Sequence, residues 1–148
     1  HITLGSAQPL TVNVWHHIVM TYDGSGNDDG LTIYVNGSIP GQSTASSGTY
    51  VAMSNTAADF TIGAFQQTNF YEGNMDEFSV FNIELTAAQI LAIYNAGTPT
   101  DLSTYTGLIG WWRMGDSGAY PLINDSSTNT NNATMTNMVA SDIETIVP

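Results

Sequence analysis

Between residues 70 and 97 the pattern of apolar and polar positions changes period once. In Met75–Asn82 the residues alternate, with Asp76, Phe78 and Val80 on one side and Met75, Glu77, Ser79 and Phe81 on the other. That alternation predicts a strand. Then Thr86 offers a helix N-cap, Gln89 three residues on completes a capping-box pattern, and AAQILAIYNA favours helix. Gly97 can supply the left-handed stop. The strand places the carboxylate of Asp76 on the same face as Phe78 and Val80. A carboxylate there is costly unless it is paired, hydrogen-bonded or on a metal.

Elsewhere the pattern predicts further short strands. VNVWHHIVMTYD, Val12–Asp23, is rich in β-branched and aromatic residues and reads as a well-buried strand. The loop Asp23–Gly30 leads to a second strand, LTIYV, and Asn36-Gly37 then signals a hairpin turn, since both residues tolerate positive φ. Pro40 and the Gly/Ser-rich run to Gly48 predict an edge strand or loop before Tyr50–Met53. FTIGAF, Phe60–Phe65, is another strand, with Gly63 marking a bulge or a close backbone approach. Gly97–Gly107 has the composition of a linker. Leu108–Met114 (LIGWWRM) predicts a strand with two adjacent tryptophans, followed by a polar stretch to Asn132 and one more short strand within Ala133–Met138. Many short strands and one short helix predict an all-β, antiparallel sandwich.

Composition narrows the function classes. The chain has 148 residues, 42% hydrophobic and 9% charged, enough for one domain with a core or one domain and part of a second. Thirteen Asp and Glu stand against a single basic residue, Arg113, for a net charge of −12. Binding to a phosphate backbone depends on Lys and Arg, so nucleic acid is not an expected partner. Anionic membranes are disfavoured for the same reason, and no apolar run is long enough to span a bilayer. An acidic surface suits divalent cations or salty surroundings. The absence of cysteine removes disulfides, thiolate metal sites and cysteine nucleophiles.

Four motifs, WHHIVMTYDG, LTIYVNG, FTIGAF and YEGNMDEFSVFNIELTAAQI, stand in an order and spacing that resembles the laminin-G-like, concanavalin A-like lectin/glucanase superfamily in its LamG-like jelly-roll form. The resemblance implies an antiparallel jelly-roll β-sandwich with one short helix, non-catalytic, binding carbohydrate or protein and often holding a structural calcium. It assigns residues 1–97 to the C-terminal portion of the family pattern, with 98–107 as a linker. GLIGWWRMGDSG and INDSSTNTNNATMTN, within 108–148, resemble the opening strands of a second or permuted LamG-like module, which can pack back onto 1–97. The strands that a complete member carries ahead of the Trp-His-His strand are missing or reduced to HITLG. WWRMGD with TMTNM also resembles, more weakly, repeats in structural proteins of marine phages and surface proteins of marine bacteria.

A glycosidase needs two carboxylates flanking the sugar bond, and the related glucanase motif spaces its acids as Glu-x-Asp-x-x-Glu. Glu72, Asp76 and Glu77 do not match, so no enzyme is expected. Adjacent residues of a regular strand diverge, so His16 and His17 cannot share one ion and are assigned to packing and hydrogen bonding. Calcium wants six to eight oxygens. Asp76 with Asp116, Asp125 and Asn132 provides such donors, and the resemblance maps the superfamily's structural calcium best onto Asp76. Asp23, Asn27, Asp28 and Asp29 form a second acidic group that lacks a closing Glu and reads as a solvated loop. Sugar rings stack on exposed aromatics, for which Phe70, Tyr71, Tyr34, Trp111 and Trp112 form the pool. Trp15 and one of the tryptophan pair are expected in the core, with the other of Trp111 and Trp112 at the surface or over an interface; Tyr71 and Trp112 are the ligand-binding candidates. The expectation is a binding or adhesion module of a larger extracellular, cell-surface or virion protein, with a glycan or protein ligand. Its rival is a structural module, a phage decoration or fibre component or a filament subunit, that self-associates through sheet edges.

Overall fold

The computed structural model describes residues 2–6, 9–46, 57, 59–65, 69–116 and 118–144. The chain divides into two compact units, each assembled from separate segments. One comprises His1–Ala52 with Phe81–Gly107, the other Met53–Val80 with Leu108–Val147.

In the first unit, β1 (Ile2–Ser6) pairs antiparallel with β4 (Gln42–Ser46), and β2 (Ile18–Tyr22) pairs antiparallel with β3 (Leu31–Val35). The register of the second pair places Ile18 opposite Val35 and Val19 opposite Tyr34. Val19 and Tyr34 therefore share a face, and it is this face that meets helix α1 (Ala87–Tyr94). Tyr34, Leu85 and Ile90 form the buried cluster, with Val19, Phe81 and Ile93 packed against it. The expected capping box is present: Gln89 N–H donates to Thr86 Oγ1 at 3.3 Å, and Thr86 N–H donates to Gln89 Oε1 at 2.9 Å. The helix stops earlier than predicted. Asn95, at φ 43°, takes the left-handed position assigned to Gly97 and donates its N–H to the Leu91 carbonyl. A short polar side chain tolerates that conformation.

The Asn36-Gly37 turn forms as predicted, with φ of 50° and 75° and Val35 and Ser38 exchanging backbone hydrogen bonds. It does not open a hairpin, because β4 pairs with β1 instead of returning along β3. Gly37 takes its positive φ beside the exposed side chain of Leu91, which any larger residue would displace. A Cβ there would lie 2.8 Å from Leu91 Cδ1. Asn36 also accepts the His17 N–H at 3.0 Å through its side chain, and its own N–H donates to the His17 carbonyl at 2.8 Å.

The long strand expected over Val12–Asp23 is shortened to β2. Its partner β3 ends at Val35, opposite Ile18, so residues 12–17 have no strand to pair with there. Instead Asn13 turns at φ 61° and Thr11 N–H donates to His16 Nε2 at 3.1 Å. Trp15, expected in the core, is exposed. The stretch expected as a linker packs in this unit: Leu102 is buried, Tyr105 meets Phe81 edge to face, and the Thr100 hydroxyl donates to the Ile93 carbonyl at 2.9 Å.

In the second unit, β5 (Ala64–Phe65) pairs with β6 (Asn69–Phe70), and β9 (Leu122–Ile123) pairs with β10 (Ala133–Thr134). β7 (Phe78–Phe81) is hydrogen-bonded to β8 (Leu108–Trp112), which places the tryptophan strand beside the strand that precedes the helix. The strand predicted over Phe60–Phe65 is reduced to β5. Gly63 takes φ 75°, which accounts for a glycine there, and a Cβ would meet only the Met75 Sδ, at 3.4 Å. The strand expected at Tyr50–Met53 lies outside the described residues.

Candidate functional site

The polar chemistry of the second unit gathers at two places along β8. At one, the alternation read from the sequence fails. Glu77 adopts φ 53°, so the strand begins only at Phe78 and Asp76 is not placed by alternation on the face of Phe78 and Val80. A non-glycine residue in this conformation persists only when its surroundings hold it there. Glu77 is held through its carboxylate. Trp111 Nε1 donates to Oε2 at 2.6 Å and Arg113 Nε donates to Oε1 at 3.1 Å, while the guanidinium lies 5.2 Å from the Trp111 ring centroid. Arg113 also pairs with Asp116, closing a turn in which Asp116 N–H donates to the Arg113 carbonyl. The chain's single cation thus joins Glu77 and Asp116. From sequence Glu77 reads only as an acid that does not fit a glucanase pair, because nothing local announces a left-handed glutamate.

Asp76 Oδ1 accepts the Glu77 N–H at 2.8 Å. Burial pushes its carboxyl above the usual range, and the negative charges of Glu77 and Asp116 add to that. The Glu77 N–H and Arg113 act the other way but do not reverse it.

At the second place, the hairpin loop between β9 and β10 folds its side chains onto β8. Asp125 is buried, and both its oxygens are taken by protein donors. Oδ1 accepts the N–H groups of Trp111 (2.9 Å) and Ser127 (2.8 Å), and Oδ2 accepts the Asn131 N–H and the Ser127 hydroxyl, each at 2.8 Å. Asn132 Oδ1 accepts the Asp125 N–H at 2.9 Å. Asn129 Nδ2 donates to the carbonyls of Leu108 and Ile109, and Asn131 Nδ2 donates to that of Ile109. Burial alone would raise the Asp125 carboxyl, but the backbone and hydroxyl donors outweigh it and hold it below the usual range. The Asp-Ser-Ser-Thr-Asn-Thr-Asn-Asn run acts as a polar lining that satisfies one edge of β8, while β7 takes the other.

The four residues expected to share a calcium are therefore divided. The oxygens of Asp125 and the Oδ1 of Asn132 are committed to backbone and hydroxyl donors, which does not fit a cation shell. Asp76 and Asp116 stay near Arg113 and keep the carboxylate chemistry that calcium uses. Among the described residues, no group of three or more His, Asp or Glu is placed to hold a metal ion. The second acidic group forms a local turn: Ser25 N–H donates to Asp23 Oδ1 at 2.8 Å, and Asp28 and Asp29 start a 3-10 turn.

Of the two ligand candidates, Tyr71 is 59% exposed and Trp112 is 7%. The expectation for Trp112 is corrected, and so is the expectation that the tryptophan pair divides between core and surface. Trp111 is 5% exposed as well. The Trp112 ring stacks on Phe60 and meets Phe78, and its Nε1 donates to the Asn131 carbonyl at 2.8 Å. Tyr34, also in the pool, is core, whereas Phe70 and Phe60 are exposed. His17 stacks on Tyr94 at 5.8 Å, and burial lowers its pKa.

No helix among the described residues is long and apolar enough to cross a membrane. No curated protein and no solved structure matches the chain. A family model described as the concanavalin A-like lectin/glucanases superfamily, of laminin G type, matches residues 1–91. Domains of this family are β-sandwiches and often serve as binding modules, which accords with a chain of short strands and one short α-helix among the described residues. With more than half of its length matched, the chain belongs to the concanavalin A-like lectin/glucanases superfamily.

Proposed function

We propose that the chain is a non-catalytic binding module of a larger extracellular or virion protein, and that it presents Tyr71, flanked by Phe70, to a glycan or protein ligand. The observation that carries this reading is the exposure of these two aromatic side chains in a chain whose neighbouring tryptophans are both buried. An exposed aromatic face suits a pyranose ring or an apolar protein side chain. Catalysis is set aside because Asp76 and Glu77 do not form a pair free to flank a sugar bond: the Glu77 carboxylate is already engaged by Trp111 and Arg113. A glycan array probed with the whole chain tests the proposal. Binding that weakens about tenfold or more in Tyr71→Ala, with an unchanged far-UV spectrum, supports it. Hits that survive the substitution move the ligand elsewhere, and hydrolysis of β-glucans abolished by Asp76→Asn would reinstate an enzyme.

Calcium enters this proposal at Asp76 and Asp116 only. A cation there would relieve the charge repulsion that raises the Asp76 carboxyl. Melting in EGTA and in excess calcium separates the outcomes: a shift of about several degrees supports a native-state site, and coincident melts remove it.

A further inference from the structure

We propose that His17 is an acid-sensitive latch between the β2–β3 ribbon and helix α1: while neutral it holds the Asn36-Gly37 turn against the end of α1, and when protonated it releases it. His17 stands just ahead of β2, and its backbone is bonded to the turn in both directions. Its N–H donates to Asn36 Oδ1 at 3.0 Å, and the Asn36 N–H donates to its carbonyl at 2.8 Å. Its ring stacks on Tyr94, the last residue of α1, with centroids 5.8 Å apart and an interplanar angle of 24°. The turn lies at the same helix end, where a Cβ on Gly37 would come within 3.1 Å of Tyr94 Cδ1. His17 thus closes a circuit of contacts from β2 through the turn to α1.

The imidazole suits this place only while it is uncharged. Its Nδ1 is buried and has no hydrogen-bond partner among the described residues. Both nitrogens of an imidazolium carry N–H groups, so protonation leaves a charged donor there without an acceptor. The surrounding elements supply no counter-charge. β2, β3, the turn at 36–38 and α1 contain no Asp or Glu, and their titratable groups are the phenols of Tyr22, Tyr34 and Tyr94. His16, next in the chain, is tied through Nε2 to Thr11. Beyond the helix end, Asp101 accepts the Ser103 N–H, and the carbonyls of Leu91 and Ile93 already accept from the Asn95 N–H and the Thr100 hydroxyl.

Burial lowers the His17 pKa, and no carboxylate among the described residues offsets it. As pH falls, the unfolded chain therefore takes up this proton before the folded one does. The stability that depends on neutral His17 is complete above the ordinary histidine value and is lost as pH falls from there toward the folded value.

Proton NMR of the whole chain between about pH 8 and about pH 4.5 tests the latch. The His17 ring signal, identified by its contact with the Tyr94 ring, should titrate below the ordinary histidine value. As it does, amide exchange at 36–38 and 91–95, corrected for its intrinsic pH dependence, should quicken about tenfold or more. Over the same range the melting temperature should fall by about 3 °C or more. His17→Phe keeps a ring for Tyr94 and cannot titrate, so it should remove that fall, whereas His16→Gln should retain it. An imidazole that titrates at or above the ordinary value, as attraction of the imidazolium to the Tyr94 face would produce, overturns the proposal. So does a fall in melting temperature that His17→Phe leaves intact, or a His17 titration with no faster exchange.

Discussion

Asp125 and Asp76 are two carboxylates of the same unit that their surroundings treat in opposite ways. Asp125 accepts four hydrogen bonds, and its folded-state pKa is lowered. Its stabilising contribution is present above the ordinary carboxylate value and is lost as pH falls through the depressed folded value. Asp125→Asn places an amide NH₂ against the Asn131 N–H or the Trp111 N–H. It should cost about 2 kcal/mol in urea unfolding at neutral pH, the scale of a buried donor left unsatisfied. Asp76 has a raised pKa, so its ionised form is disfavoured in the folded state. That penalty is present above the folded value and is relieved as pH falls through it toward the unfolded value. Asp76→Asn keeps an oxygen for the Glu77 N–H and should therefore be at least as stable as the parent at pH 7 in EGTA. The difference should vanish at acid pH, as paired thermal melts would show. A loss of stability at pH 7 without calcium would contradict the assignment. Glu77 shows why single residues resist sequence reading. Its left-handed backbone is sustained by Trp111 and Arg113, more than thirty residues away in the chain.

At the scale of elements, helix α1 was the most legible. Capping is local, so Thr86 and Gln89 announce the helix start without any tertiary partner. Thr86→Ala removes the acceptor for the Gln89 N–H and should cost about 1 kcal/mol, measured as a lowered urea midpoint with an unchanged slope. The Asn36-Gly37 turn was legible for the same reason, since φ preference belongs to the residues themselves. Strand lengths were not. A strand persists only as far as its partner runs, and β3 stops at Val35, which shortens β2 to five residues. The loop between β9 and β10 has the composition of donors for a cation. Carboxylates and amides that suit calcium equally suit unpaired backbone groups, and the carbonyls of Leu108 and Ile109 claimed them.

For the whole molecule, the charge imbalance has a direct consequence for stability. With thirteen acids and one arginine already paired to Glu77 and Asp116, repulsion among the remaining carboxylates opposes the folded state. Raising NaCl from about 20 to about 500 mM should raise the melting temperature of the dilute chain, and an unchanged or lower value would count against this account. The family could be identified from sequence because four motifs stand in register, and the family match over residues 1–91 agrees. The all-β class followed from alternation, turn residues and a single capped helix, all of which are short-range properties. By itself the sequence determined where turns and the helix begin, the acidic character, and the family. Tertiary structure alone decided that β7 pairs with β8, that both tryptophans are buried, and that Asp125 binds backbone amides. Those outcomes depend on which distant backbone groups and aromatic faces meet, and spacing along the chain does not encode that.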